Sequence, residues 1–145
     1  MKALVQRVKR ASVTIDSVLY SEIGMGLLVL LGVEKGDENI NADKLADKLV
    51  HLRIFEDENG KMNRSLLDVC GDMLVVSQFT LCGDCKKGTR PSFDKSAPPE
   101  IANNLYEYFI NKVKEYSITV KTGKFAAMMD VELINNGPVT FMIEK

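Results

Sequence analysis

Met73-Leu74-Val75-Val76-Ser77-Gln78-Phe79-Thr80-Leu81 is the stretch on which the fold turns. It opens with four apolar residues, two of them β-branched, which suits a strand buried on both faces. It then becomes polar without a break, as Ser77, Gln78 and Thr80 alternate with Phe79 and Leu81. The pattern predicts a strand from Asp72 to Leu81 whose far end carries side-chain and backbone donors to the rim of the core. Sites held on rigid elements are built that way. A strand that simply leaves the core, with its hydroxyls in water, has the same pattern.

Upstream, Leu27-Leu28-Val29-Leu30-Leu31-Gly32-Val33 is the most apolar run and reads as a second central strand. It follows a break at Gly24-Met25-Gly26. Before that break, Ala3 to Ile15 reads as a strand, with clean alternation over Ala11-Ser12-Val13-Thr14-Ile15. Asp16-Ser17 is its turn and Val18 to Ile23 the return. A helix is predicted over Ile40 to Arg53, where Ala42, Leu45, Ala46, Leu49 and Val50 recur at helical spacing. Asn39 or Asn41 suits its cap. Arg53-Ile54-Phe55 reads as a short strand, Asp57-Glu58-Asn59-Gly60 as a turn and Lys61 to Leu66 as an exposed link.

Downstream, Cys82 to Ala97 reads as a long polar loop carrying a local basic cluster, Lys86, Lys87 and Arg90. Loops of this length within compact domains are often functional. Pro98-Pro99 opens a second helix, with Ser96 as its expected cap and Ala102, Leu105, Tyr106, Phe109, Val113 and Tyr116 as its apolar stripe. Ile118 to Thr122 is a strand, and Gly123 to Met129 is ambiguous, with one helical turn as an open reading. Val131 to Ile134 and Val139 to Ile143 are two strands around Asn135-Asn136-Gly137-Pro138. Seven or eight strands and two helices in mixed order predict an α+β fold. Its packed, mainly antiparallel sheets are barrel-like, with both main helices on one face.

With 145 residues, residues 1–145 are expected to form one domain. The apolar fraction of 46%, the charged fraction of 27% and a net charge of -1 carry no global footprint for nucleic acid. No apolar run suits a bilayer span, and charge comes too soon at the N-terminus for a signal peptide, so a cytoplasmic location is expected. Three cysteines argue against a disulfide framework. Cys82 and Cys85 form a C-x-x-C that neither opens a helix nor has two obvious further ligands, so no metal is assigned. His51 is the single histidine. It falls near a helix end and reads as a surface or packing residue.

Gly137-Pro138 exposes backbone without a Cβ, which permits close approach to a ligand. Taken together, Val76-Ser77-Gln78-Phe79-Thr80-Leu81 and Asn136-Gly137-Pro138-Val139-Thr140 resemble the two signature motifs of the D-aminoacyl-tRNA deacylases. The opening from Val5 to Val13 is similar to that family's, as are Gly26 to Glu34, Gly60 to Asn63, Arg90 to Phe93 and Thr122 to Phe125. The resemblance runs in order over nearly the whole chain.

It implies a homodimer of packed sheets with helices outside. It also implies hydrolysis of the ester between a D-amino acid and the terminal ribose of tRNA, and of glycine mischarged on alanine tRNA. Carried over, Ser77, Gln78, Phe79 and Thr80 line the catalytic pocket. Gly137 and Pro138, cis in that family and contributed across the dimer interface, screen chirality. Phe125 and Met129 lie near the pocket, and Arg7 supports the Gly-Pro loop. Lys86, Lys87 and Arg90 are expected tRNA contacts, and no cofactor is implied. The Cys82-Gly83-Asp84-Cys85 segment has no counterpart role, and Asn135-Asn136 stands where Asn-Asp is common.

The chemistry fits this inventory. Acyl transfer needs an oxyanion stabilised, which backbone N–H groups supply. Thr80 has no adjacent base in sequence to make it a nucleophile. Two other readings are open: an editing domain of the same fold that removes L-serine, and an RNA-binding module without catalysis.

Overall fold

β1 (Lys2–Ile15) is long enough to serve two strands on one edge and a third on the other. A computed structural model describes residues 1–145. Along one edge, β2 (Val18–Ile23) pairs with the second half of β1 and β3 (Gly26–Gly32) with the first half. Along the other edge, β8 (Asp130–Glu144) pairs with almost its full length. All three pairings are antiparallel. β6 (Asp72–Ser77) adds to β3 and β7 (Val120–Thr122) to β6, both in parallel. The result is one six-stranded mixed sheet, not the separate packed sheets expected. A small antiparallel ladder, β4 (Phe55–Glu56) with β5 (Met62–Arg64), stands apart.

The sheet nearly closes on itself. The Ser21 hydroxyl of β2 donates to the Thr122 carbonyl of β7 at 2.7 Å. Closure needs β1 to bend, and the bend lies at Lys9–Arg10, where its register against β8 slips and both residues are exposed. Before the slip Ala3 and Val5 point to the helical side. After it Ala11 and Val13 point to the interior of the curl. An irregular residue reverses the alternation and raises the local twist.

β3 and β6 are buried on both faces, as their apolar runs predict. Leu27, Val29, Leu31, Met73 and Val75 pack under the helices, while Leu28, Leu74 and Val76 fill the curl. The two helices, α1 (Asn39–Val50) and α2 (Pro99–Lys114), lie together on the first face. Tyr108 of α2 donates to Asp43 of α1 at 3.0 Å. Phe109 is fully buried; such a side chain contributes about 2–3 kcal/mol. No helix is long and apolar enough to cross a membrane.

Local departures from the sequence reading have local causes. β6 stops at Ser77, because its partner β3 ends at Gly32, one residue past the Leu31–Ser77 pair. The chain then curls into a 3-10 turn, Phe79–Cys82. The link Lys61 to Leu66 contains β5, and the Arg53–Phe55 strand is shifted to Phe55–Glu56. α1 ends at Val50; Glu38, not Asn39 or Asn41, holds its N-cap position, and the Asn41 side chain inside the first turn accepts the Glu38 N–H at 2.9 Å. Ser96 is not the cap of α2; Pro98 holds that position and the Ser96 N–H turns back to Phe93. Gly123 to Met129 is not helical but an irregular turn, with Ala126 at φ 59°.

Candidate functional site

Glycine at the end of β3 makes the rim possible. A Cβ on Gly32 would lie 3.1 Å from Cys82 Sγ and 3.2 Å from the Gln78 carbonyl. The 3-10 turn therefore settles directly over this strand end, tied by the Gln78 N–H to the Leu31 carbonyl at 2.8 Å. Within the turn, the Leu81 N–H is the first to fold back, onto the Gln78 carbonyl at 3.2 Å. The N–H groups of Phe79 and Thr80 come before it and find no carbonyl of the turn to bond. Turns of this kind leave their first donors open. The Gln78 side-chain amide donates to the Thr80 hydroxyl, which orients it. No carboxylate or imidazole is hydrogen-bonded to that hydroxyl.

Phe79 is more than half exposed, and its ring meets Phe93 edge-on with centroids 5.0 Å apart. Phe93 comes from the Cys82–Ala97 loop, which is less irregular than its composition suggests. Asp84 and Ser92 exchange backbone hydrogen bonds at 2.7 and 3.0 Å and close it into a lasso. Lys86, Lys87 and Arg90 are exposed on this lasso. Its return is pinned by the Ala97 N–H on the Val33 carbonyl at 3.0 Å. Cys82 is buried with its thiol facing the Val33 carbonyl, and burial pushes that thiol above its ordinary value. Cys85 is exposed, and all three cysteines are free. No group of three or more His, Cys, Asp or Glu side chains is clustered as metal ligands would be.

The Gly123–Met129 turn lies against the other side of β6. The Gly123 N–H donates to the Val75 carbonyl at 2.9 Å, and the Tyr106 hydroxyl reaches the same carbonyl at 2.8 Å. Met129 folds back so that its sulfur accepts the Lys124 N–H at 3.3 Å, over the flat face of Gly123. Phe125 packs beside Tyr106 with ring centroids 6.0 Å apart. Phe125 and Met129 are thus held beside β6, near the strand end that carries Ser77.

Gly137 and Pro138 stand elsewhere. They do not form a turn between two strands but a protruding loop within β8, both of whose arms pair with β1. Their peptide bond is cis, and both residues are exposed. Arg7 lies beneath and is almost fully buried. Its Nε donates to the Asn136 carbonyl at 2.8 Å, one terminal nitrogen to the Ile54 carbonyl at 2.6 Å, and the other approaches Glu56 at 3.4 Å. The loop faces Arg7 of β1, whereas Ser77 lies in register with Leu31 and, through it, with Ala3. Four strand residues separate those levels, about 13 Å along the strand direction. One chain therefore gathers Ser77 to Thr80 with Phe125 and Met129, and keeps Gly137 and Pro138 apart from them.

Two residues absent from the sequence reading of the site pack beside it: Phe93 and Tyr106. An aromatic directly behind a basic cluster was the available signal for Phe93. Tyr106 reads in sequence as one more member of an apolar stripe, and only its reach to Val75 sets it apart. His51 caps α1 on the surface, its Nδ1 2.9 Å from the Asp47 carbonyl, and takes no part in these groups.

A family profile described as "D-Tyr-tRNA(Tyr) deacylase" matches residues 4–144. Relatives named D-aminoacyl-tRNA deacylase include one from Geotalea daltonii, 60% identical over 99% of this chain and 96% of its own. Another, from Clostridioides difficile, is 56% identical over 99% of this chain and 97% of its own. Among solved structures, the "c-Myc DNA Unwinding Element Binding Protein" superposes with a TM-score of 0.94 at 41% identity, covering 100% of this chain and 99% of that one. A probable eukaryotic D-amino acid tRNA deacylase shares the fold, with a TM-score of 0.86 at 18% identity over 99% and 98%. Matched from end to end, this chain belongs to the D-Tyr-tRNA(Tyr) deacylase family.

Proposed function

We infer that this chain hydrolyses the ester joining a D-amino acid to the terminal ribose of tRNA, and glycine mischarged on alanine tRNA by the same route. The observation that carries this reading is the 3-10 turn at the end of β6. It presents the open N–H groups of Phe79 and Thr80 at the rim of the core, within one of the two motifs on which the resemblance rests. Water adds to the ester carbonyl, and the resulting oxyanion is held by those two amides. The intermediate collapses by breaking the bond to the ribose oxygen, which takes a proton as the free amino acid leaves. The neighbouring ribose hydroxyl assists the water, since no side-chain base stands beside Thr80. Gln78 and Thr80 orient the substrate.

The screen comes from a second copy. Gly137 and Pro138 project from their own chain, away from its Ser77–Thr80 rim, so the loop of one protomer closes the pocket of its partner. The free outer edge of β8, with Ile134, Phe141 and Met142 exposed along it, supports a homodimer. Rigid backbone placed where an L side chain would project excludes L by collision and leaves a D side chain free. Glycine passes because it has no side chain to reject. Lys86, Lys87 and Arg90 reach the tRNA acceptor end, which keeps an enzyme of net charge -1 on its substrate.

The test is deacylation of D-tyrosyl-tRNA beside L-tyrosyl-tRNA with chelator present. Loss of the D-ester alone is expected. Loss of an L-seryl ester instead would favour the L-serine editing reading. A solved relative named for binding DNA favours one further reading, a nucleic-acid-binding module. Salt-dependent binding without hydrolysis of any ester would put that reading first.

A further inference from the structure

Between the Gln6–Thr140 and Val8–Asn135 pairs, β1 has one residue, Arg7, and β8 has four, Asn136 to Val139. The surplus chain is expelled as the Gly137–Pro138 loop. Such a loop has no ladder of its own, so its shape depends on what fills its base. Arg7 holds it from outside. From inside it is held by the Asn135 side chain, whose Nδ2 donates to the Arg7 carbonyl at 3.0 Å and to the Val139 carbonyl at 3.0 Å. One amide nitrogen thus ties the near arm of the loop to its far arm and to β1.

Both neighbours of that nitrogen are acceptors, so the amide has one acceptable orientation. Its oxygen then points at Gly137, where a Cβ would lie only 2.3 Å from Asn135 Oδ1. Gly137 is not among the residues of positive φ. The demand for glycine here comes from crowding inside the loop, by the Asn135 amide and by the Val139 nitrogen 2.8 Å from that Cβ, not from backbone handedness.

We propose that Asn135 is a positioning residue that sets the chiral selectivity of the Gly137–Pro138 loop. The proposal rests on the reading of that loop as the screen. An isosteric Asn135→Asp removes both donors and sets a carboxylate oxygen against two carbonyls. The loop then opens away from β1, and the space denied to an L side chain is no longer denied. Asn135→Ala empties the loop and acts in the same direction. Neither change touches the 3-10 turn that carries the chemistry.

The experiment measures kcat/KM for D- and L-tyrosyl-tRNA with the full-length wild type, Asn135→Asp, Asn135→Ala and Gly137→Ala, each checked for melting temperature. Both Asn135 variants are expected to keep D-ester kcat while L-ester hydrolysis rises about tenfold or more, the size of effect expected when one excluding contact is lost. If one of them does not fold, the other decides the question. An unchanged D/L ratio in the folded Asn135 variant, with a lowered ratio in Gly137→Ala, overturns the role of Asn135 and leaves the screen intact. A ratio unchanged in Gly137→Ala as well overturns the screen, and this proposal with it.

Discussion

The Arg7 guanidinium bonds the Asn136 carbonyl at 2.8 Å with its Nε and the Ile54 carbonyl at 2.6 Å with a terminal nitrogen. One buried side chain thus joins the protruding loop of β8 to the segment that leads into β4. Arg7→Ala leaves two carbonyls without this donor and is expected to cost about 2–3 kcal/mol. Arg7→Lys keeps the charge but not the fork, and should recover little of the loss. The contact with exposed Glu56 contributes little at its 3.4 Å separation. Urea unfolding of the three proteins checks the order wild type, Lys, Ala.

Thr80 accepts from the Gln78 amide and has no base beside it. Thr80→Ala is therefore expected to lower single-turnover hydrolysis of D-tyrosyl-tRNA by less than about tenfold. That falls short of the 10²–10³ typical of losing an oxyanion donor. Abolished turnover in a folded variant would make the hydroxyl a chemical participant.

Tyr106 titrates upward because it is buried. Its raised value in the fold means that the native state favours the neutral phenol. Its stabilisation is full below the unfolded value of about 10 and is lost as pH rises beyond it. Tyr106→Phe is expected to cost about 1 kcal/mol at neutral pH, through its bond to Val75. It should also make the alkaline loss of stability shallower. Melting curves from pH 8 to pH 11 test both parts; parallel alkaline limbs would count against this role.

The lasso between Asp84 and Ser92 carries Lys86, Lys87 and Arg90 in solvent. If all three meet phosphates, changing them together to glutamine lowers the slope of log KM against log salt by about 2, at roughly 0.7 per contact with a single strand. An unchanged slope would place the tRNA contacts elsewhere.

Sequence and structure agree where a residue's neighbours are set by its own periodicity. The runs Leu27–Leu31 and Met73–Val76 admit few partners other than two apolar layers, and both strands are buried on both faces. The stripes of α1 and α2 likewise name the face that they bury. They part company where a neighbour far along the chain decides. Ser77 is followed by a turn because β3 ends at Gly32, 45 residues upstream. Asn135 to Pro138 looks like a hairpin turn, because Asn-Asn-Gly-Pro has turn chemistry. It becomes a loop within one strand because β1 is long enough to pair with both of its arms.

From sequence alone came the family resemblance, the apolar core, the two helices and the candidate residues of the rim and the loop. Tertiary structure decided their arrangement. It set which amides stay open after Ser77, which side chain fills the Gly137 loop, and that this loop and the Ser77–Thr80 rim stand at different levels of β1. The physical reason is that composition and period record how much surface a residue buries, whereas hydrogen-bond partners and register depend on where distant strands begin and end.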